Sequence, residues 1–110
     1  MLPTGSKLLV CHRKLFAEDR PRLFIGEVSD YQEGVACVTG YSFVMNPDTG
    51  LFGRKNELRT KIISITAGTV LVYQLPTELN IENVEIQEPG ANRILMTDHH
   101  GFKMDLSTRP

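Results

Sequence analysis

Glycine closes three short segments that each sit between runs of β-branched and aromatic residues: Gln32-Glu33-Gly34, Thr66-Ala67-Gly68 and His99-His100-Gly101. Each fits a three-residue hairpin loop, in which a type I turn is followed by a left-handed residue, a conformation glycine takes without a Cβ clash. A chain that reverses direction this way is built for antiparallel sheet. Two proline turns extend the pattern. Asn46-Pro47-Asp48-Thr49-Gly50 places proline where its fixed φ suits the turn, and Glu88-Pro89-Gly90-Ala91 carries the Pro-Gly pair of a type II turn.

The intervening runs alternate with period two, as strands with one buried face do. Residues 61–66 and 70–75 form the clearest expected pair, around Thr66-Ala67-Gly68. Val84 and Ile86 alternate with Glu85 and Gln87, and Phe102, Met104 and Leu106 alternate with Lys103 and Asp105, so the last strands are expected to cover the core from one side. Residues 23–30 and 35–44 are expected to make the first hairpin. Gly26 and Gly40 interrupt these strands, and glycine inside a strand marks a bulge, a bend or close approach of another backbone. Residues 7–20 read as strand first, then a short helical or irregular stretch up to Pro21, and residues 77–80 as one helical turn. The pattern predicts an all-β domain: an antiparallel meander of about eight short strands forming a small barrel or sandwich, with little helix. Its expected limits are residues 7–106, with flexible ends at residues 1–6 and 107–110.

The chain has 110 residues, 41% hydrophobic and 23% charged, which suits one self-folding globular unit and excludes a disordered one. No apolar run approaches the ~20 residues of a membrane helix. The start of the chain lacks the charged and apolar regions of a secretory signal, so a cytoplasmic location is expected. In that setting Cys11 and Cys37 read as free thiols. Net charge is −1, with nine Lys/Arg against seven Asp/Glu in residues 1–61 and three against six in residues 62–110. That imbalance is too mild for a charged tail or a binding stripe.

Four constellations could carry function. His99 and His100, beside Asp98 at an expected hairpin tip, are the one cluster of ligand-type side chains, yet zinc needs three or four ligands and the other candidates lie at no recognised spacing. The run from Arg54 through Lys55, Arg59 and Lys61 is basic and could contact phosphate, with Phe52, and Tyr31 as a further aromatic, available to stack on a base. Against it stands the sequence pI of about 6.3, since nucleic-acid binding normally leaves a basic footprint. Tyr41 and Phe43 share one face of a strand and read as core, or as an interface if that face stays uncovered. Cys11 beside His12 resembles a thiolate pair, but neighbours on a strand point to opposite faces.

No Gly-rich phosphate loop, nucleophile elbow or zinc-protease helix occurs, and no cofactor is expected. The expected function is therefore a non-enzymatic binding or interaction module whose partner is another copy of the chain or another protein, with no membrane role. Nucleic-acid binding through residues 54–61 and a small-ligand or metal site at His99 and His100 are the alternatives.

Overall fold

The computed structural model describes residues 3–12, 22–45, 52–66, 68, 70–90, 93–99 and 101–105. These hold nine strands: β1 (Lys7–His12), β2 (Arg22–Gln32), β3 (Val35–Met45), β4 (Phe52–Arg54), β5 (Arg59–Ser64), β6 (Val70–Leu75), β7 (Glu85–Gly90), β8 (Arg93–Thr97) and β9 (Lys103–Asp105), with one 3₁₀ turn at Ile81–Asn83. All strand pairs are antiparallel, as the turn chemistry requires. The first six strands form one sheet in the order β4-β3-β2-β1-β6, with β5 also on β3, and the last three form a second sheet.

The β2–β3 hairpin is tighter than its sequence implied. Gln32 pairs directly with Val35, and Glu33 and Gly34 have φ of 49° and 82°. Two successive positive φ values define a two-residue type I′ turn, whose twist matches the flanking strands better than a type I turn does. The bulge lies inside β2, where Ser29 is the extra residue between the Val28–Val38 and Asp30–Cys37 pairs. Upstream of β1, the Gly5 amide donates to the Val28 carbonyl and the Ser6 carbonyl accepts from the Val28 amide, both at 2.8 Å.

Strands β5 and β6 do not form the expected hairpin. β5 pairs with β3 and β6 with β1, so consecutive strands occupy opposite edges of the sheet. The reason lies in β1. Leu8, Leu9, Val10 and Cys11 are all buried, a run that needs cover on both faces and a neighbour on both edges, and β6 fills the second edge. The glycine turn at residues 66–68 reports only that the chain bends, not which strand it will meet.

Because β5 ends at Ser64 and β6 begins at Val70, a short connector joins two edges that a flat five-strand sheet would hold about 19 Å apart. The sheet therefore coils. Gly26 and Gly40 face each other in register at its bend, and a Cβ on Gly26 would lie 2.6 Å from the Thr39 carbonyl oxygen, while one on Gly40 would overlap that of Ile25. Close backbone approach is thus the role of these glycines. Among the described residues no ladder joins β5 to β6, so the first sheet is coiled without closing into a barrel.

Each face of this sheet has its own core. On the concave face Leu8, Val10, Phe24, Val28, Ala36, Val38 and Ile63 cluster, all from strands of the same sheet. On the other face Leu9, Cys11, Leu23, Ile25 and Phe43 pack against Leu79, Val84, Ile86 and Met96, with Phe102 and Met104 alongside. The second sheet thus covers the core from one side, as its alternation predicts.

Two local expectations change. The Leu79 amide closes a turn on the Pro76 carbonyl, while the helical turn comes later, where the Asn80 side chain caps the Glu82 amide at 3.0 Å. Strand β7 continues through Pro89 and Gly90 with a register shift after Gln87, so the reversal falls beyond Gly90. The expected turn at residues 46–50, the irregular stretch after His12, and Leu106 lie outside the described residues.

Candidate functional site

Strand alternation divides the basic run at 54–61 into two unrelated parts. On β4, Phe52 packs against the core beneath the second sheet, and the Arg54 guanidinium lies 4.6 Å from the Tyr41 ring centroid while donating to the Glu82 carbonyl at 2.6 Å. Arg54 thereby ties the first sheet to the 3₁₀ turn, and both groups are occupied structurally. Lys55 is exposed, and its amide donates to the Ser42 carbonyl.

On β5 the pattern turns the other way. Lys61 pairs with Val38 and Ile63 with Ala36, which sets Lys61 and Arg59 on the concave face. There Lys61 Nζ stands 4.8 Å from the centroid of Phe24, a ring that is itself fully buried. Two residues along β2 on the same face is Arg22, and Arg22 pairs across the strand with His12. Four basic side chains from β1, β2 and β5 thus converge on one end of the concave face. Burial, then the Lys61 and Arg22 charges, hold the His12 pKa below its usual value; burial, then Arg22 and Arg59, lower that of Lys61. Among the described residues one carboxylate joins the group: Glu57, 2.9 Å from Arg59. Nothing in the chain's local pattern signals that His12 and Arg22 lie near Lys61, because these positions are brought together only by sheet order.

His99 adopts a left-handed φ of 64° in the loop between β8 and β9, where its amide donates to Thr97 Oγ1 at 3.1 Å. Its Nε2 lies 3.3 Å from Glu85 Oε1 on β7. Asp98 is buried, with its Oδ1 accepting from the Phe102 amide at 3.2 Å. His100 lies outside the described residues, and among those described no group of three or more His, Cys, Asp or Glu side chains converges.

The face carrying Tyr41 and Phe43 is covered. Phe43 is 1% exposed within the core and Tyr41 packs against it, so the uncovered face on which their interface reading depended does not exist at Phe43. Cys11 and His12 do face opposite sides, Cys11 in the core under the second sheet and His12 toward Lys61.

Exposed apolar surface gathers elsewhere. Among the described residues the large hydrophobic side chains left in water are Val35, Leu58 and Ile62, at 42%, 58% and 78% exposure. Ile62 sits opposite Cys37 in the β3–β5 ladder and Val35 opposite Ser64, on the sheet face beyond the reach of the second sheet, with Asp30, Gln32 and Glu33 along the rim. Leu58 immediately precedes β5. The adjacent pair Ile62-Ile63 was the available signal, since in a strand one of two neighbours must face outward.

These features define a small two-sheet antiparallel β protein with a cationic concave end and an apolar edge strand. Comparison with protein-family models, with curated proteins and with solved structures yields no match. No helix among the described residues is long and apolar enough to cross a membrane.

Proposed function

We propose that this chain is a non-enzymatic interaction module that associates with a second copy of itself through the free edge of β5. The observation that carries this reading is the placement of Val35, Leu58 and Ile62 on or beside one edge strand whose outer side has no ladder partner among the described residues. Proteins normally blunt such an edge with charge, proline or a covering loop; β5 carries Arg59 and Lys61 on its concave side only, and its other side, with Ile62 beside Val35, is left apolar as a template for strand addition.

The partner is a second copy because β5 complements itself. On a two-fold axis through Ile62, that side chain meets its own counterpart, Lys61 lies opposite Ile63, and Thr60 lies opposite Ser64. No two like charges stand directly opposed, and each Arg59 comes to the position opposite Ile65, whose amide is bonded to Gly34 in the Glu33 turn. Arg59 of one copy then lies within side-chain reach of Glu33 of the other. Covering one isoleucine side chain stabilises by about 1.5–3 kcal/mol. A cytoplasmic location belongs to the same reading, supported by the reduced state of Cys37.

Light scattering coupled to size exclusion tests it. The expected result is a dimer that Ile62→Asp converts to monomer while circular dichroism shows the fold intact, because the side chain is largely solvated in the single copy. A wild-type monomer at high protein concentration, or a dimer indifferent to Ile62→Asp, overturns it.

A further inference from the structure

We infer that the concave end formed by His12, Arg22, Arg59 and Lys61 is a binding site for a compact phosphate group, of the kind carried by a diphosphate or a phosphomonoester. Arg22 and His12 are cross-strand partners on one face, and Lys61 reaches that face from β5. Its ammonium is held over Phe24, and Phe24, Val10 and Val38 make a fully buried apolar floor. His12 and Lys61 are half-buried above this floor and less screened than surface charges, so they attract an anion more strongly, while Arg22 and Arg59 are exposed at its rim. The same arrangement makes the cations repel one another, and this adds to burial, the larger cause, in lowering the proton affinities of His12 and Lys61. Among the described residues Glu57 is the carboxylate drawn into this group, and it engages Arg59 alone. A bound dianion relieves that repulsion directly. The arginines supply planar forks that match phosphate oxygens, and Lys61 a point charge.

A compact group is favoured over a nucleic-acid strand. Strand binding needs aromatic faces on which bases can stack. Phe24 is fully buried beneath Lys61, Tyr31 packs against the concave core at the other end of β2 from Arg22, and Phe52 packs against the core under the second sheet on the opposite face.

Among the described residues the charges facing His12 are Arg22 from β2 and Lys61 from β5, both positive, while its β6 partner is the apolar Val70. An anion at the site therefore favours the protonated imidazole, and binding tightens as pH falls.

Calorimetric titration of the full chain with inorganic pyrophosphate at low ionic strength tests the site. Binding is expected, with Lys61→Met and Arg22→Gln each weakening it by about tenfold while circular dichroism shows the fold intact. Inorganic sulfate, which stays a dianion across the range, is expected to bind several-fold more tightly at pH 6 than at pH 8, and His12→Gln to abolish that difference. Absence of pyrophosphate binding, or binding unaffected by both substitutions, overturns the proposal. An oligonucleotide that binds far more tightly than pyrophosphate overturns it in favour of a nucleic-acid surface.

Discussion

At the scale of single residues, Gly40 and Phe43 occupy the same strand with opposite duties. A methyl group on Gly40 would overlap the Ile25 carbonyl oxygen, backbone that cannot move without opening the β2–β3 ladder. Gly40→Ala is therefore expected to lower unfolding free energy by about 3 kcal/mol or more, measured by urea denaturation; a loss below 1 kcal/mol would mean the bend does not depend on this contact. Phe43→Ala empties a core position that is 1% exposed and is expected to destabilise by about 3–5 kcal/mol. If Phe43 served an interface alone, the monomer's stability would not change. A bend or close approach at Gly26 and Gly40 was legible from the sequence, because glycine inside a strand has few other uses. The burial of Phe43 was not settled there, since a strand face is covered or bare according to what other segments do.

Elements differ in how legible they are from sequence, and the difference follows from how local the signal is. The first hairpin was expected at 23–30 and 35–44 and runs over Arg22–Gln32 and Val35–Met45, because its turn and both strands are adjacent in sequence. The β5–β6 pairing failed because adjacency in the chain competed with the open edge of β1, and tertiary demand won. The Glu33-Gly34 turn offers a test at this scale. Glu33 holds a φ of 49°, which an asparagine tolerates better, so Glu33→Asn is expected to stabilise by about 0.5–1 kcal/mol. A raised urea midpoint with an unchanged slope would bear this out; a lowered midpoint would mean that the Glu33 side chain contributes more than its backbone strain costs.

For the molecule as a whole, a mild overall charge conceals a local concentration. Summed along the chain, the basic residues of 54–61 looked like one loop, yet alternation sends Arg54 beneath the second sheet and Lys61 to the concave face. Half of the candidate cluster was therefore legible, and His12 and Arg22 were not, since they join it only through sheet order. Stability should register the concentration. The His12 pKa is lowered on folding, so below about pH 6.5 the unfolded chain binds more protons at this position than the folded one. Its contribution to stability is full above that pH and declines as pH falls toward the folded value. In a low-salt buffer free of phosphate and sulfate, the thermal midpoint is expected to drop between pH 7.5 and 5.5, and His12→Gln to flatten that drop. Equal slopes in both proteins would show that other groups govern the acid limb.

The placement of β6 on the far edge of β1 also has a meaning in time. During synthesis β1 can pair with β2 almost at once, but its second edge waits for residues 70–75, some sixty positions later. At ribosomal speeds of about 5–20 residues per second, that leaves a strongly apolar strand half-paired for roughly 3–13 seconds. The nascent chain thus passes through a stage at which Leu8, Leu9 and Val10 depend on the exit tunnel, a chaperone or the slowness of encounter to stay apart from other chains.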